Sequence, residues 1–129
     1  MQAENYSTTY GLDMINATEV WDAYNTQGEG VEVAVLDTGM DDSHPDLPEL
    51  DDEHWQAWDD QGNPIESEPS DSDGHGTHVS GTVAGAEDPA GNVPSYGVAP
   101  EVELYHGQVI PGGGGSFTQV AAGMEWAVD

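Results

Sequence analysis

The chain has 129 residues, of which 26 are acidic and none is Lys or Arg, giving a formal net charge of -26; a chain of this size ordinarily carries about 14 basic residues, so the absence is systematic. The length sets one domain as the expectation, and the sign of the charge excludes a nucleic-acid binder, because phosphate needs cations. There is no cysteine to form a disulfide and no apolar run of the length that spans a membrane.

Taken in order, residues 1–9 are polar and read as an arm over the surface, and Met1-Gln2-Ala3-Glu4-Asn5 lacks the pattern of a signal peptide. Residues 15–24 predict a short helix with Val20, Trp21 and Tyr24 on its apolar side. Gln27-Gly28-Glu29-Gly30 is a turn into Val31-Glu32-Val33-Ala34-Val35-Leu36-Asp37-Thr38-Gly39. That β-branched, apolar run predicts a buried strand over 31–37 ending in Asp-Thr-Gly. An aspartate at the carboxyl end of a parallel strand stands where open α/β sheets place their active sites. Alone the tripeptide is a weak signal, since aspartic proteases carry it and most such aspartates only cap turns. Residues 48–73, rich in Asp, Glu, Pro and Ser, predict a long acidic loop anchored by Trp55, Trp58 and Ile65.

The stretch Asp73-Gly74-His75-Gly76-Thr77-His78-Val79-Ser80-Gly81-Thr82-Val83-Ala84-Gly85 predicts a turn followed by a buried helix over about 75–85. Asp73 is the expected N-cap. Gly81 and Gly85, four apart, are expected to pack the helix closely on a sheet. His75 sits at the positive end of the helix dipole, which favours the neutral imidazole that a general base needs. Competing readings stand beside this one. A histidine in a glycine-rich turn is most often structural. His75 and His78 as metal ligands are disfavoured, because the glutamate of a zincin helix and a third ligand are both missing. Residues 87–95 form a loop and residues 102–109 a strand. Gly112-Gly113-Gly114-Gly115 is a flexible turn, and Ser116 caps a final helix whose expected inner face carries Val120, Met124 and Val128.

The 26 acids are scattered among strand and helix patterns, so they do not form one disordered tail. A chain for basic partners is a second reading, but it would concentrate its charge on one face. Adaptation to concentrated salt fits best: at about 1 M the Debye length falls to about 3 Å and self-repulsion is screened.

The run Val35-Leu36-Asp37-Thr38-Gly39-Met40-Asp41, continued by His44-Pro45-Asp46-Leu47 and then by Asp73-Gly74-His75-Gly76-Thr77-His78-Val79-Ser80-Gly81-Thr82, resembles the subtilisin-like serine proteases. Tyr96-Gly97-Val98-Ala99-Pro100 with the strand after it, Gly123-Met124-Glu125-Trp126-Ala127, and near the start Tyr10-Gly11 and Ala17-Thr18-Glu19-Val20-Trp21 extend the likeness from about residue 10 to the end, in order. With its long acidic character, the resemblance is to a halophilic, halolysin-like type.

The resemblance implies an α/β fold: the N-terminal part of a doubly wound, mostly parallel sheet with helices on both faces, with residues 1–129 as a partial catalytic domain. It implies Asp37 and His75 as two members of an Asp-His-Ser triad that hydrolyses polypeptide substrates. None of the eight serines lies in the Gly-Thr-Ser-Met-Ala setting of the family nucleophile, and the family's oxyanion asparagine has no counterpart. The expected partner is therefore the C-terminal part of the catalytic domain, and this stretch alone is expected to be inactive and to leave strand edges exposed. The resemblance further implies main-chain substrate pairing along Gly112, Gly113, Gly114, Gly115 and Ser116, and a structural calcium near Asp46, Asp88 and Asn92. It implies secretion, with leader and pro-segment outside this chain. The rival reading is a non-catalytic acidic binding module on the same scaffold, a pseudoenzyme or gene remnant.

Overall fold

The computed structural model describes residues 7–129. Its centre is a four-stranded sheet of β1 (Glu32–Asp37), β2 (Trp55–Trp58), β3 (Pro64–Ile65) and β4 (Glu103–Gln108), in the order β1-β4-β2-β3. β4 runs parallel to β1 and β2, and β3 turns back antiparallel to β2. Glu32 lies opposite Glu103 and Asp37 opposite Gln108, so β1 and β4 end together. The helices are α1 (Tyr10–Met14), α2 (Ala17–Tyr24), α3 (His75–Ala84) and α4 (Phe117–Val128). This is the mostly parallel α/β arrangement, with helices on both faces, that the resemblance implies.

Strand alternation divides the side chains between the two faces. On the α3 face, Val35, Met40, Leu50, Trp55, Ala57, Ala84 and Leu104 form the main core, with Val79, Val83 and Val102 packed against it. On the other face α4 settles directly onto the sheet. A Cβ at Gly123 would fall 2.3 Å from Val109 Cγ1, and one at Gly107 would fall 2.8 Å from Leu36 Cδ2. Trp126 meets Trp58 edge-on at 5.6 Å, and Gln119 Nε2 donates to the Trp58 carbonyl at 2.6 Å. Ser116 caps α4, as its sequence predicts, and does so in a reciprocal capping box with Gln119.

Several elements depart from the sequence expectation. The helix expected over 15–24 forms as α2, Ala17–Tyr24, and is preceded by α1, which the sequence did not predict; Val20 and Tyr24 are exposed. Trp21 alone of the three buries, against Leu12 and Ala17, and its indole N–H donates to the Val98 carbonyl at 2.9 Å. The acidic stretch 48–73 is not all loop: residues 55–58 pair with the open edge of β4, and 64–65 pair with them in turn. Trp55 and Trp58 are buried anchors as expected, whereas Ile65 is exposed. Gly81 and Gly85 make room for the ring of Tyr96 rather than for the sheet. On α4, Met124 and Val128 face solvent, and the inner face is Gln119 and Gly123. Of the expected surface arm, residues 1–6 lie outside the described residues, and Thr8 forms a parallel bridge to Ser95.

Candidate active site

The carbonyl of Asp37 accepts the N–H groups of Val109 at 3.0 Å and Ile110 at 3.2 Å, which fixes the common end of β1 and β4. The chain then turns at Gly39, whose φ of +128° and contact with the Ser70 carbonyl leave no space for a side chain. Gly76, in the first turn of α3, meets that turn backbone to backbone; a Cβ on it would lie 2.1 Å from the Gly39 oxygen. The two glycines thus let the helix start approach the strand end. The result is a hydrogen bond of 2.8 Å between His75 Nδ1 and Asp37 Oδ1, across 38 residues of sequence.

The two groups differ in setting. Asp37 is 8% exposed, and its Oδ1 also accepts the Thr38 N–H at 2.7 Å. The His75 side chain is 64% exposed. No hydrogen bond from a described residue reaches its Nε2. The hydrogen bond to Asp37 and the charge of that carboxylate raise the His75 pKa above the ordinary 6.5, with the more distant Asp73 and Asp71 adding to it. The adjacent carboxylate thus acts in the direction opposite to the helix dipole, which favours the neutral ring. One ring nitrogen is oriented by an acid and the other is open, the arrangement by which an imidazole takes a proton from an incoming group.

Asp73 is not the N-cap of α3. That position is Gly74, at φ +99°, and it supplies no side chain. Three other residues take the free N–H groups of the first turn. Asp73 accepts from His75 at 3.2 Å, the Thr38 hydroxyl from Gly76 at 2.8 Å, and Asp71 from Thr77 at 2.8 Å. Asp71 was not singled out by the sequence. It is one acid in an acid-rich segment, and only its position four residues before His75 sets it apart.

The glycine segment lies at the same end of the sheet. Gly112, Gly113, Gly114 and Gly115 are exposed, Ser116 is half-buried, and a Cβ on Gly113 would come 3.2 Å from Asp73 Oδ2. The calcium candidates are placed differently. Asp46 is buried, its Oδ1 accepts the Ala90 N–H at 2.8 Å, and its Oδ2 accepts the Tyr96 hydroxyl. Asp88 and Asn92 are exposed on the loop beyond. Each Asp46 oxygen accepts one hydrogen bond from the protein and keeps a further lone pair, while a calcium shell takes six to eight oxygens, more than these three side chains supply by themselves. Among the described residues no group of three or more His, Cys, Asp or Glu could hold a metal ion. None of the eight serines hydrogen-bonds to His75. Ser80, on the same helix, is buried and bonded to His106 Nδ1 at 3.0 Å.

Known proteins share this arrangement of sequence. The Subtilase family matches residues 28–129. The chain is 42% identical over 121 residues to the "Major intracellular serine protease" of Bacillus subtilis (strain 168), covering 92% of this chain and 36% of that protein. It is 39% identical to "Subtilisin Savinase" of Lederbergia lenta, covering 94% of this chain and 41% of that one. A solved structure, "Crystal structure of a cold adapted subtilisin-like serine proteinase", superposes with a TM-score of 0.56 at 32% identity, over 79% of this chain and 33% of that one. The chain therefore spans well under half the length of each of these relatives.

Proposed function

The chain belongs to the subtilase family, and from that premise we propose that it carries the acid–base half of a serine endopeptidase. The observation that supports this reading is the His75 Nδ1 to Asp37 Oδ1 bond of 2.8 Å with Nε2 left open to solvent. A serine hydroxyl is a weak nucleophile until a base removes its proton. In the proposed reaction Nε2 of His75 takes the proton from a serine Oγ as that oxygen attacks the peptide carbonyl, then returns it to the leaving amine. Asp37 holds the proton on Nδ1 and stabilises the imidazolium that forms. No serine among these residues stands in position, so the proposal assigns the nucleophile, and the donors that bind the oxyanion, to residues other than these 129.

The proposed substrates are polypeptides. Gly112 to Ser116 follow β4 beside the loop that precedes His75; the N–H groups of Gly113, Gly114 and Ser116 are bonded within the chain, so pairing with an extended substrate would use the remaining backbone groups of the exposed glycines. The raised His75 pKa sets the pH response: hydrolysis climbs as pH rises through a value above 6.5, where the base form appears.

The test compares this chain with the product of the complete reading frame, each assayed for peptide hydrolysis with and without a serine-directed phosphonate. The longer protein is expected to turn over, to be inhibited, and to lose activity on His75→Ala. The 129-residue chain is expected to be inactive. Turnover by this chain that His75→Ala abolishes would reveal a nucleophile within it, and an inactive longer protein would favour the non-catalytic binding module.

We further propose a salt-rich setting, which the charge of -26 without a single Lys or Arg supports, and an extracellular one, which rests on the family resemblance alone. The relative named as intracellular supports the opposite location. No helix among the described residues is long and apolar enough to cross a membrane. Loss of circular-dichroism signal on dilution from molar salt is the expected outcome; equal stability in dilute buffer would sink the salt proposal.

A further inference from the structure

Asp71 receives more hydrogen bonds than any isolated surface acid requires. Its Oδ1 accepts from the Thr38 hydroxyl at 2.8 Å, the Gly74 N–H at 2.9 Å and the Asp73 N–H at 3.1 Å. Its Oδ2 accepts from the Thr77 hydroxyl at 2.7 Å and the Thr77 N–H at 2.8 Å. A carboxylate offers about four lone-pair sites, so this one is saturated by the protein. The donors come from two places that must meet for the site to exist. Thr38 follows Asp37 at the end of β1, and Thr77 lies in the first turn of α3, two residues past His75. The Thr38 hydroxyl is itself shared: it donates to Asp71 and accepts the Gly76 N–H at 2.8 Å. Thr77 in turn accepts the Asp41 N–H at 3.0 Å, which ties the far side of the turn.

We infer that Asp71 is a positioning residue for the His75 imidazole, a carboxylate peg that locks the first turn of α3 to the end of β1 so that Nδ1 stays aimed at Asp37. The assignment rests on the peptidase reading for its catalytic meaning, though not for its geometry. Asp71 touches neither ring nitrogen of His75. It works through Thr38, Gly74 and Thr77, which bracket both members of the pair. Burial pushes its pKa up, but the hydrogen bonds from Thr77, Gly74 and Thr38 outweigh that and bring it to about 2. The peg therefore stays charged across the range in which His75 titrates. A negative charge at a helix N-terminus is favourable as well.

The experiment uses the complete protein with 15N-histidine and reads the His75 ring by NMR, with the resonance assigned by His75→Ala. In the wild type the Nδ1 proton is expected as a low-field signal in a fixed Nδ1–H tautomer. Asp71→Asn should lose that signal and lower kcat by about 10²-fold with KM unchanged, the scale of a small misplacement of a reacting group. Asp71→Asn also removes a charge near His75. Thr38→Val removes the hydroxyl link without changing charge, and it should produce the same loss. The buried His106 resonance reports that the fold persists. A folded Asp71→Asn protein that keeps the signal, tautomer and kcat overturns the assignment. If Asp71→Asn unfolds, Thr38→Val and Thr77→Val carry the test, and retention of the signal in both overturns it. Failure of the peptidase reading looks different: the wild-type complete protein would then hydrolyse no peptide, whatever Asp71→Asn does to the ring signal.

Discussion

At the carboxyl ends of β1 and β4, His75 meets one carboxylate, Asp37, through one ring nitrogen at 2.8 Å. At the amino-terminal end of the same sheet, His54 meets two, Asp51 at 2.6 Å and Glu103 at 2.7 Å, through both ring nitrogens. His54 also stacks on Tyr105 at 4.4 Å, and the Tyr105 hydroxyl donates to Glu32 at 2.7 Å and Glu103 at 3.0 Å. The residue types are the same and the chemistry differs. A ring with both nitrogens engaged has no lone pair to offer a substrate, so His54 serves to join the starts of β1, β2 and β4. A ring with one nitrogen held and the other open is a base. Burial sharpens the contrast: Asp37 is shielded, while the side chains of Asp51 and Glu103 are 68% and 49% exposed.

The largest effect that separates the two ends is catalytic. Asp37→Asn in the complete protein should lower kcat by about 10⁴-fold, because the amide presents the wrong partner to Nδ1 and the tautomer is lost. Asp51→Asn, the matching change at the opposite end, should leave kcat within about twofold of wild type. Steady-state hydrolysis of one peptide by both variants is sufficient. Equal losses would mean that the two pairs are both structural and that the open Nε2 has no catalytic consequence.

The sequence makes the reactive end more legible than the rest. Asp37 and His75 sit in long ordered motifs, and the glycines that permit their meeting, Gly39 and Gly76, are beside them in the chain. The supporting peg was not legible, because nothing in the residue type of Asp71 distinguishes it from its acidic neighbours; its role arises from Thr38 and Thr77 being brought to it. β2 was hidden for a related reason. Trp55-Gln56-Ala57-Trp58 is only four residues within an acidic run, too short for a periodic signal, and it becomes a strand because β4 offers it an open edge. On α4 hydrophobic periodicity points to the wrong face. Val120, Met124 and Val128 recur every four residues, but close approach to the sheet selects Gly123, which hydrophobic periodicity ignores. Gly81 and Gly85 do form a close-packing surface, but its neighbour is the ring of Tyr96 and not the sheet, because the chain after α3 folds back over the helix.

A third histidine lies between the two ends and offers an effect of intermediate size. His106 on β4 is fully buried, stacked 5.9 Å from Trp55, and its Nε2 has no hydrogen-bond partner among the described residues. Burial lowers its pKa to about 4, with Asp37 and Asp71 pulling weakly the other way. The folded value lies below the unfolded one of about 6.5. As pH falls from 6.5 towards 4 the unfolded chain takes up a proton that the folded chain refuses, so stability drops, by on the order of 3 kcal/mol for the whole interval. Denaturant titrations of wild type and His106→Ala at pH 7 and pH 4.5 isolate this contribution from the many carboxylates that titrate in both. The variant should be less stable at pH 7, through the cavity it leaves, and should lose less than wild type on acidification. Parallel losses in the two proteins would show that His106 takes up its proton while folded.

The smallest expected effect belongs to His54, and its sign tests the comparison at its other end. Hydrogen bonds accepted by Asp51 and then by Glu103 raise the His54 pKa, and the same contacts lower those of Asp51 and Glu103. The histidine's contribution is fully present below its ordinary value of 6.5 and is lost as pH rises through its raised folded value. The carboxylates' contribution is present above their ordinary values and is lost as pH falls through their lowered ones. The clamp is therefore strongest between those limits, where a protonated imidazole lies between two carboxylates in a chain with no Lys or Arg to pair with them. Because the pairs are exposed, solvent and salt weaken them, and His54→Gln should lower Tm by no more than about 4 °C at pH 5.5. The difference should shrink at pH 9, after the ring has lost its proton, and in molar salt, which screens the charges. A difference that is the same at both pH values and at both salt concentrations would assign the effect to the stacking on Tyr105 and to neutral hydrogen bonds. The two ends of the sheet would then differ in the open nitrogen alone, and not in charge.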